Sequence, residues 1–412
     1  MNEIERKFNK VLAPLICGEN TICLGVSGGS DSMAMLLLAK SYADIYGVQI
    51  FVVTVDHMLR SESRDEVLYV QDICQKLNIK HVIRMWYHED IPHSQIEAEA
   101  RKARHRFMIE ECVKRGAKSI LLAHNLNEQL ETYFIRKNMN SGDSGLACMS
   151  LKRTLNEDIS IARPCLQFTK RELQEYLTNQ GIRWMEDPMN YDENFIRVRY
   201  RNMISRMHDN ELNDLLDTII QYGQERSDQE MRAVSFLRTH DIINENGFAD
   251  IRIYDFSHLE RSTQHCVLKK VIRCISHEEY SISDQVCDNI IGNKHYTCSK
   301  IVVKKTKDRI IIYRENRNLS PCLFLNKGDK VVWDNRFVIE SHIDSLHVKA
   351  YGKAHSINDL PSYICATMPA LFVGDELVHI GCTTNDDLGF SCVFKRTSDF
   401  FDIFYPLRSD DE

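Results

Sequence analysis

The sequence predicts an α/β fold: a doubly wound parallel sheet, then a helical region, then a small α+β or β-rich C-terminal module. Three observations carry that prediction. Across residues 1–205, apolar runs of strand length alternate with segments of helical periodicity, the pattern of βαβ units. From about residue 206 to 290 the apolar positions recur every three or four residues instead. Beyond residue 299 the chain breaks into short strand-like runs between turns. A length of 412 residues is too great for one ordinary core, and the expected division is 1–205, 206–317 and 318–412.

The buried strands of the first region read "TICLGVS" (21–27), "QIFVVTVD" (49–56), "HVIRMW" (81–86) and "KSILLA" (118–123). Helical patterns fill the intervals near 31–46, 64–78 and 95–115. In such a sheet ligands collect beyond the carboxyl ends of the strands, so those ends are where chemistry is expected. In the second region, "NELNDLLDTIIQYGQERSDQEMRAVSFL" carries the helical spacing, and "SKIVVKKTKDRIIIYRENR" (299–317) predicts a hairpin. The last region holds short strands such as "KVVWDNRFVIE" (330–340) and "LVHIGCTT" (377–384).

An apolar share of 43% and a charged share of 27% describe a globular chain and exclude a disordered one. No apolar run reaches the roughly 18 residues that suggest a membrane span. The opening "MNEIERKFNK" lacks the apolar core of a signal peptide, so a cytoplasmic location is expected. None of the fourteen cysteines lies in a C-x-x-C pair, which removes the zinc-ribbon, redox and iron–sulfur signatures. Cys23, Cys74 and Cys112 sit inside apolar runs, where a reduced thiol acts as a small hydrophobe. The net charge of −7 is unevenly spread: residues 1–205 balance at 27 basic and 27 acidic side chains, and the remainder carries 25 and 32. A polyanionic partner must therefore be met by local basic patches. The densest patch in the acidic half runs from Lys294 to Arg317 and includes Lys304, Lys305 and Lys307. It is expected to touch a phosphate backbone, against the plain alternative of a solvated hairpin face.

The most informative stretch is "GVSGGSDSM". Ser27, Gly28, Gly29, Ser30, Asp31 and Ser32 must turn sharply between a strand and a helix and leave backbone N–H groups bare. Glycine permits the turn and lets an anion approach the backbone. Free N–H groups at a helix N-terminus favour phosphate, serine hydroxyls add donors, and Asp31 can hold Mg²⁺. No Lys follows the loop, so it is not the G-x-x-x-x-G-K-[ST] loop of kinase-like NTPases. An ordinary Gly/Ser turn is the competing reading, and the full S-G-G-x-D-S pattern at a strand-to-helix junction weighs against it.

This loop resembles the pyrophosphate-binding loop of the PP-loop ATP pyrophosphatase superfamily, and further stretches resemble one of its families, the tRNA(Ile)-lysidine synthetases. "VDHMLR" (55–60) places Asp56 and His57 at a strand end beside the nucleotide. "EAEARKARHRF" (97–107) is similar to the family's E-x-x-A-R-x-x-R-Y helix, with Arg101 and Arg104 on one face and His105 in place of Tyr. "LLAHNLNEQLET" (121–132) is similar to A-H-H-x-[DN]-[DE]-x-x-E-T, with Asn125 in place of the second His. "RPCLQFTKRELQEYLTNQGIRWMEDPMNYDENFIRVRYR" (163–201) resembles the tail of the catalytic domain. There Asp187, Asn190, Arg197 and Arg201 match, and Cys165, Met189 and Val198 depart. "NSGDSGLACM" (140–149) matches a Gly-rich loop, and "LPSYICATMPALFVGDELVHIG" (360–381) looks like the family's last domain with Cys365 where Arg is usual.

The resemblance implies ATP and L-lysine as substrates with the tRNA(Ile) whose anticodon is CAU. The wobble cytidine is adenylated on its ring-carbon-two oxygen, and the lysine ε-amine then displaces AMP. It implies ATP contacts from Ser27 to Ser32 and Asp56, Mg²⁺ on Asp31, and catalytic work by Asp31, Arg101, Arg104 and His124. Glu128 and Glu131, three apart on one helix face, would meet the lysine; Arg197 and Arg201 would line an RNA path with Tyr200. A homodimer is left open. Three other readings fit the sequence less well. A cytidine thiolase would need paired cysteines that this chain lacks, an ammonia-using amide synthetase would need a glutaminase motif, and a non-catalytic RNA binder would not need Asp31, His124, Glu128 and Glu131 together.

Overall fold

The computed structural model describes residues 1–58, 63–87, 96–155, 159–185, 196–278, 282–352, 355–357 and 360–395. Asp187, Met189 and Asn190, singled out above, lie outside the described residues. The chain divides into two compact units between Ser227 and Asp228.

The first unit begins with α1 (Glu3–Leu15) and then alternates β1 (Thr21–Gly25), α2 (Ser30–Tyr46), β2 (Gln49–Asp56), α3 (Ser63–Lys76), β3 (Lys80–Met85), α4 (Ile96–Arg115), β4 (Ser119–Leu121) and α5 (Leu126–Asn138). A short α6 (Asp143–Leu146), β5 (Lys152–Thr154), β6 (Ser160–Ala162), α7 (Lys170–Asn179) and α8 (Ile196–Ile204) complete it. The long α9 (Asp209–Thr239) contains the boundary between the units.

The strands form one sheet in the order β3-β2-β1-β4-β6-β5, parallel except for β5, which runs antiparallel to β6. Because strand side chains alternate between faces, each strand feeds two cores. Ile22, Leu24, Val52 and Leu121 pack with α1, α2 and α7 on one face. Cys23, Phe51, Val53 and Ile120 pack with Met108 and Cys112 of α4 on the other. Burial on both sides explains why these strands read as continuous apolar runs. The chain leaves β1 in one direction for β2 and β3 and reaches β4 in the other, so the crevice beyond β1 and β4 is the topological switch point.

Phe168 ties this core to that crevice. It is fully buried, faces Phe8 at 6.4 Å between ring centroids, and its carbonyl accepts the Leu126 N–H at 2.9 Å, fixing the start of α5. None of the fourteen cysteines is in a disulfide, and no helix of the described residues is long and apolar enough to cross a membrane.

The second unit opens with β7 (Ala249–Arg252), α10 (Ile253–Ser257), α11 (Arg261–Ser276) and α12 (Asp284–Gly292). The strands β8 (His295–Cys298), β9 (Ile301–Lys305) and β10 (Arg309–Arg314) follow, and β9 and β10 are the expected hairpin. Strand β7 joins their antiparallel sheet, a strand within the stretch that the periodicity marks as helical. Short strands β11 (Leu323–Leu325), β12 (Lys330–Trp333), β13 (Phe337–Ser341) and β14 (Leu346–Ala350) come next. After α13 (Ser362–Cys365), β15 (Pro369–Val373), β16 (Glu376–Ile380) and β17 (Phe390–Phe394) close two further antiparallel sheets.

Replacing Phe168 with Ala is expected to cost about 3–5 kcal/mol of folding stability. Chemical denaturation of the two proteins measures it, and a loss well under 1 kcal/mol would mean that this ring is not the anchor described.

Candidate active site

The loop after β1 is built to present bare amides. Val26 N–H still bonds Val53 O at 3.2 Å, and Thr54 Oγ1 donates to Val26 O at 2.9 Å, so the chain is held to the sheet until it turns. Gly28 then takes φ +90°, a conformation that L side chains rarely adopt. Ser32 Oγ accepts from Ser27 N–H at 3.2 Å and lies 3.0 Å from Gly29 O, to which it donates. Among the described residues the N–H groups of Gly28 and Gly29 reach no protein acceptor, and those of the first turn of α2 have none within the helix. Amides converging at a helix N-terminus make an anion-binding concavity.

Three carboxylates stand beside it. Asp31 is half-buried in the first turn of α2; burial raises its carboxyl above the ordinary range, opposed first by Lys170 and then by a hydrogen bond from Asn125. Asn125 also caps α5: its Oδ1 accepts Glu128 N–H at 3.0 Å, and Glu128 Oε2 accepts Asn125 N–H at 3.2 Å. The departure from the family pattern at this position is therefore a good N-cap residue. Glu128 is pushed up to about 7, chiefly by burial and then by the charge of Asp31. Glu131, 2% exposed, accepts from Arg201 Nε at 2.9 Å. The residues expected to meet lysine and RNA separately are thus paired with each other. Phe134 and Tyr200 stack at 5.7 Å where α8 lies on α5.

Cations dominate the other side. His124 follows β4, and among the described residues its Nδ1 finds no hydrogen-bond partner. Burial, then Arg163, Arg101, Arg104 and Arg197, hold its imidazole far below the usual range and keep it neutral at pH 7. His105 is pushed down to about 4 by burial and by Arg101, Arg104, Arg153 and Arg163. Five arginines thus bear on two neutral imidazoles, an arrangement that favours a polyanion. Arg163 lies inside a stretch quoted for the family resemblance but had no assigned role, and Arg153 belongs to no motif. The buried Arg163 guanidinium donates to Ser150 O at 2.8 Å.

A sequence model of the PP-loop domain matches residues 1–207. The chain belongs to the PP-loop family. Curated relatives include a tRNA(Ile)-lysidine synthase of Orientia tsutsugamushi, 29% identical over 77% of this chain and 75% of that one. The same name is carried by a protein of Wolbachia pipientis wMel, 28% identical over 81% and 80%, and by one of Rickettsia felis, 27% identical over 92% and 93%. Among solved structures, a U34-tRNA thiolase of Methanococcus maripaludis with its 4Fe-4S cluster superposes at a TM-score of 0.47 and 16% identity, covering 54% of this chain and 78% of that one.

Not every residue expected near the PP-loop is free to act there. Asp56 caps the turn after β2, accepting from Met58 N–H at 2.9 Å and Ser63 Oγ at 2.7 Å. His57 stands edge-on to Trp86 at 5.8 Å. In the second unit much of the basic hairpin charge is used internally. Lys305 donates to Ile291 O, Lys304 lies 4.7 Å over the Tyr363 ring, and Lys300, Arg309 and Arg314 pair with Glu278, Asp250 and Asp334. Among the described residues Lys307 has no ion-pair partner.

Because the Glu128 carboxyl is raised in the fold, the folded protein holds its proton to higher pH than the unfolded chain does. Its contribution is complete below the unfolded value and is lost as pH rises through about 7. Compared with Glu128→Gln, the wild type should lose on the order of 3 kcal/mol of stability between pH 4.5 and 8. Parallel denaturant titrations test this; curves that stay parallel across the interval contradict it.

Proposed function

We infer that this chain performs the tRNA(Ile)-lysidine synthase reaction on the wobble cytidine of a CAU-anticodon tRNA(Ile). The observation that carries the reading is the meeting, at the β1/β4 switch point, of an anion-accepting loop, a buried carboxylate group and an arginine-rich wall. ATP is a substrate of the PP-loop, its phosphates taken by the amides of Gly28 and Gly29 and the hydroxyls of Ser27, Ser30 and Ser32. Asp56 supports the strand end beside it.

In the first step the cytidine ring-carbon-two oxygen attacks the α-phosphorus, the α–β bridging bond breaks, and pyrophosphate leaves. Arg101 and Arg104 stabilise the charge that develops on the departing group. In the second step the lysine ε-nitrogen attacks ring carbon two, the carbon–oxygen bond breaks, and AMP leaves. The attacking ammonium must first lose a proton, and a carboxylate near 7 such as Glu128 is matched to accept it at neutral pH. Glu128 and Glu131 supply negative charge for the amino acid. His124, neutral and without a partner at Nδ1 among the described residues, can accept a hydrogen bond from the activated nucleotide.

Asp31 suits Mg²⁺, which is commonly held by one or two carboxylates together with substrate phosphates. Burial disfavours its bare charge, so a cation beside it is stabilising. Among the described residues no cluster of three or more His, Cys, Asp or Glu side chains would cage a metal by itself. When bound, the ion would neutralise phosphate charge.

We further propose that Arg197 and Arg201 guide the RNA, that residues 206–317 form a tRNA-binding domain, and that residues 318–412 form a small C-terminal domain. Within the hairpin, Lys304 and Lys307 are the better candidates for phosphate contact, since Lys305 is tied to a helix end. Reversing the charge at Lys304 and Lys307 should flatten the salt dependence of tRNA binding by about two phosphate contacts, and an unchanged slope would assign the hairpin to solvent.

Pyrophosphate release, followed with ATP, tRNA(Ile) transcript and lysine in turn, tests the reaction itself. Lysine should be dispensable for a first burst of pyrophosphate and required for AMP. Asp31→Ala should lower the rate by at least roughly 100-fold. Release that ignores the tRNA, or near-normal turnover of the Asp31 variant, would refute the assignment.

A further inference from the structure

The PP-loop lacks the lysine that follows the phosphate loop of kinase-like NTPases, and far along the chain the fold ties Lys170, at the start of α7, to the first turn of α5. Three helices begin around Asp31. It lies in the first turn of α2 itself, Asn125 caps α5, which follows the strand paired with β1, and α7 begins at Lys170. The first turns of α5 and α7 are locked together, because Lys170 N–H donates to Asn127 Oδ1 at 2.9 Å and Leu126 N–H donates to Phe168 O at 2.9 Å. A capping box of Thr169 and Glu172 fixes the start of α7 in addition.

This places the half-buried Lys170 within electrostatic reach of Asp31. Among the described residues, however, its ammonium makes neither a hydrogen bond nor an ion pair, although carboxylates stand nearby. The neighbouring cations on that surface behave otherwise: Lys7 pairs with Glu172 at 3.3 Å, and Arg171 with Glu175 at 2.8 Å. A half-buried lysine at the start of α7, fastened to the first turn of α5 and without a salt bridge, is arranged to take its partner from solution. We propose that Lys170 is a further phosphate-binding residue of this site, supplying to the ATP phosphates the point charge that the PP-loop sequence itself omits. The inference rests on the ATP reading given above.

The test uses the full chain carrying Lys170→Met or Lys170→Arg, with ATP affinity measured by calorimetry and turnover measured as pyrophosphate release. Lys170→Met should weaken ATP binding and lower kcat/KM for ATP by about 30-fold. Its KM for lysine should stay within about twofold, its melting temperature should stay within about 2 °C, and Lys170→Arg should recover a large part of the loss. ATP binding equal to wild type in Lys170→Met would overturn the proposal. So would equal losses toward ATP and lysine accompanied by a lower melting temperature, which would make Lys170 a structural counter-ion of Asp31. A wild-type protein that binds ATP through Lys170 but shows no lysine-dependent turnover would instead remove the assigned reaction and leave this site standing.

Discussion

Asn125 joins the two halves of the site. One side chain, 1% exposed, caps α5 by accepting Glu128 N–H at 3.0 Å, and its amide helps to hold the Asp31 carboxyl of α2 down against burial. Without Asn125, α5 would lose its cap, and the burial and mutual repulsion of Asp31 and Glu128 would be opposed chiefly by Lys170 and Arg197. An amide serves here because it can donate to one carboxyl while accepting from a backbone N–H.

Around that bond the charges are sorted rather than balanced. Acidic groups whose burial favours the protonated form lie near Asp31 and Glu128, and imidazoles whose burial favours the neutral form lie among Arg101, Arg104, Arg153, Arg163 and Arg197. Such sorting is unfavourable for a protein alone and becomes favourable when a polyanion and a cation arrive together. A nucleotide with RNA on one side and an amino acid's ammonium on the other meets that description. Glu131 and Arg201 instead satisfy each other across α5 and α8.

Much of the fold was legible because the parallel strands are buried on both faces and therefore stand out as apolar runs. The strand "QIFVVTVD" coincides with β2 to the residue, and the Gly-rich turn at 27–32 falls at the β1–α2 junction as read. Strand β7 was missed because four residues at a sheet edge carry too little periodicity to compete with the helices around them. At the site, spacing on one helix told which residues share a face and nothing about who pairs with whom. Glu131 and Arg201 meet across two helices, and Asp56 is used to close its own turn. The hairpin lysines were counted as charge, whereas Lys305 is bound to a helix carbonyl. Arg153 belongs to no motif, and Lys170, inside the stretch quoted for the family resemblance, carried no role there, because the importance of each lies in what the fold brings near it.

The proposed reaction requires that a carbonyl oxygen of the RNA leave on the nucleotide. A tRNA(Ile) transcript bearing oxygen-18 at ring carbon two of the wobble cytidine, incubated with ATP and lysine, tests this without any variant. Mass spectrometry of the AMP released should find one heavy oxygen on its phosphate. Unlabelled AMP, with the heavy oxygen in water or still on the base, would contradict it.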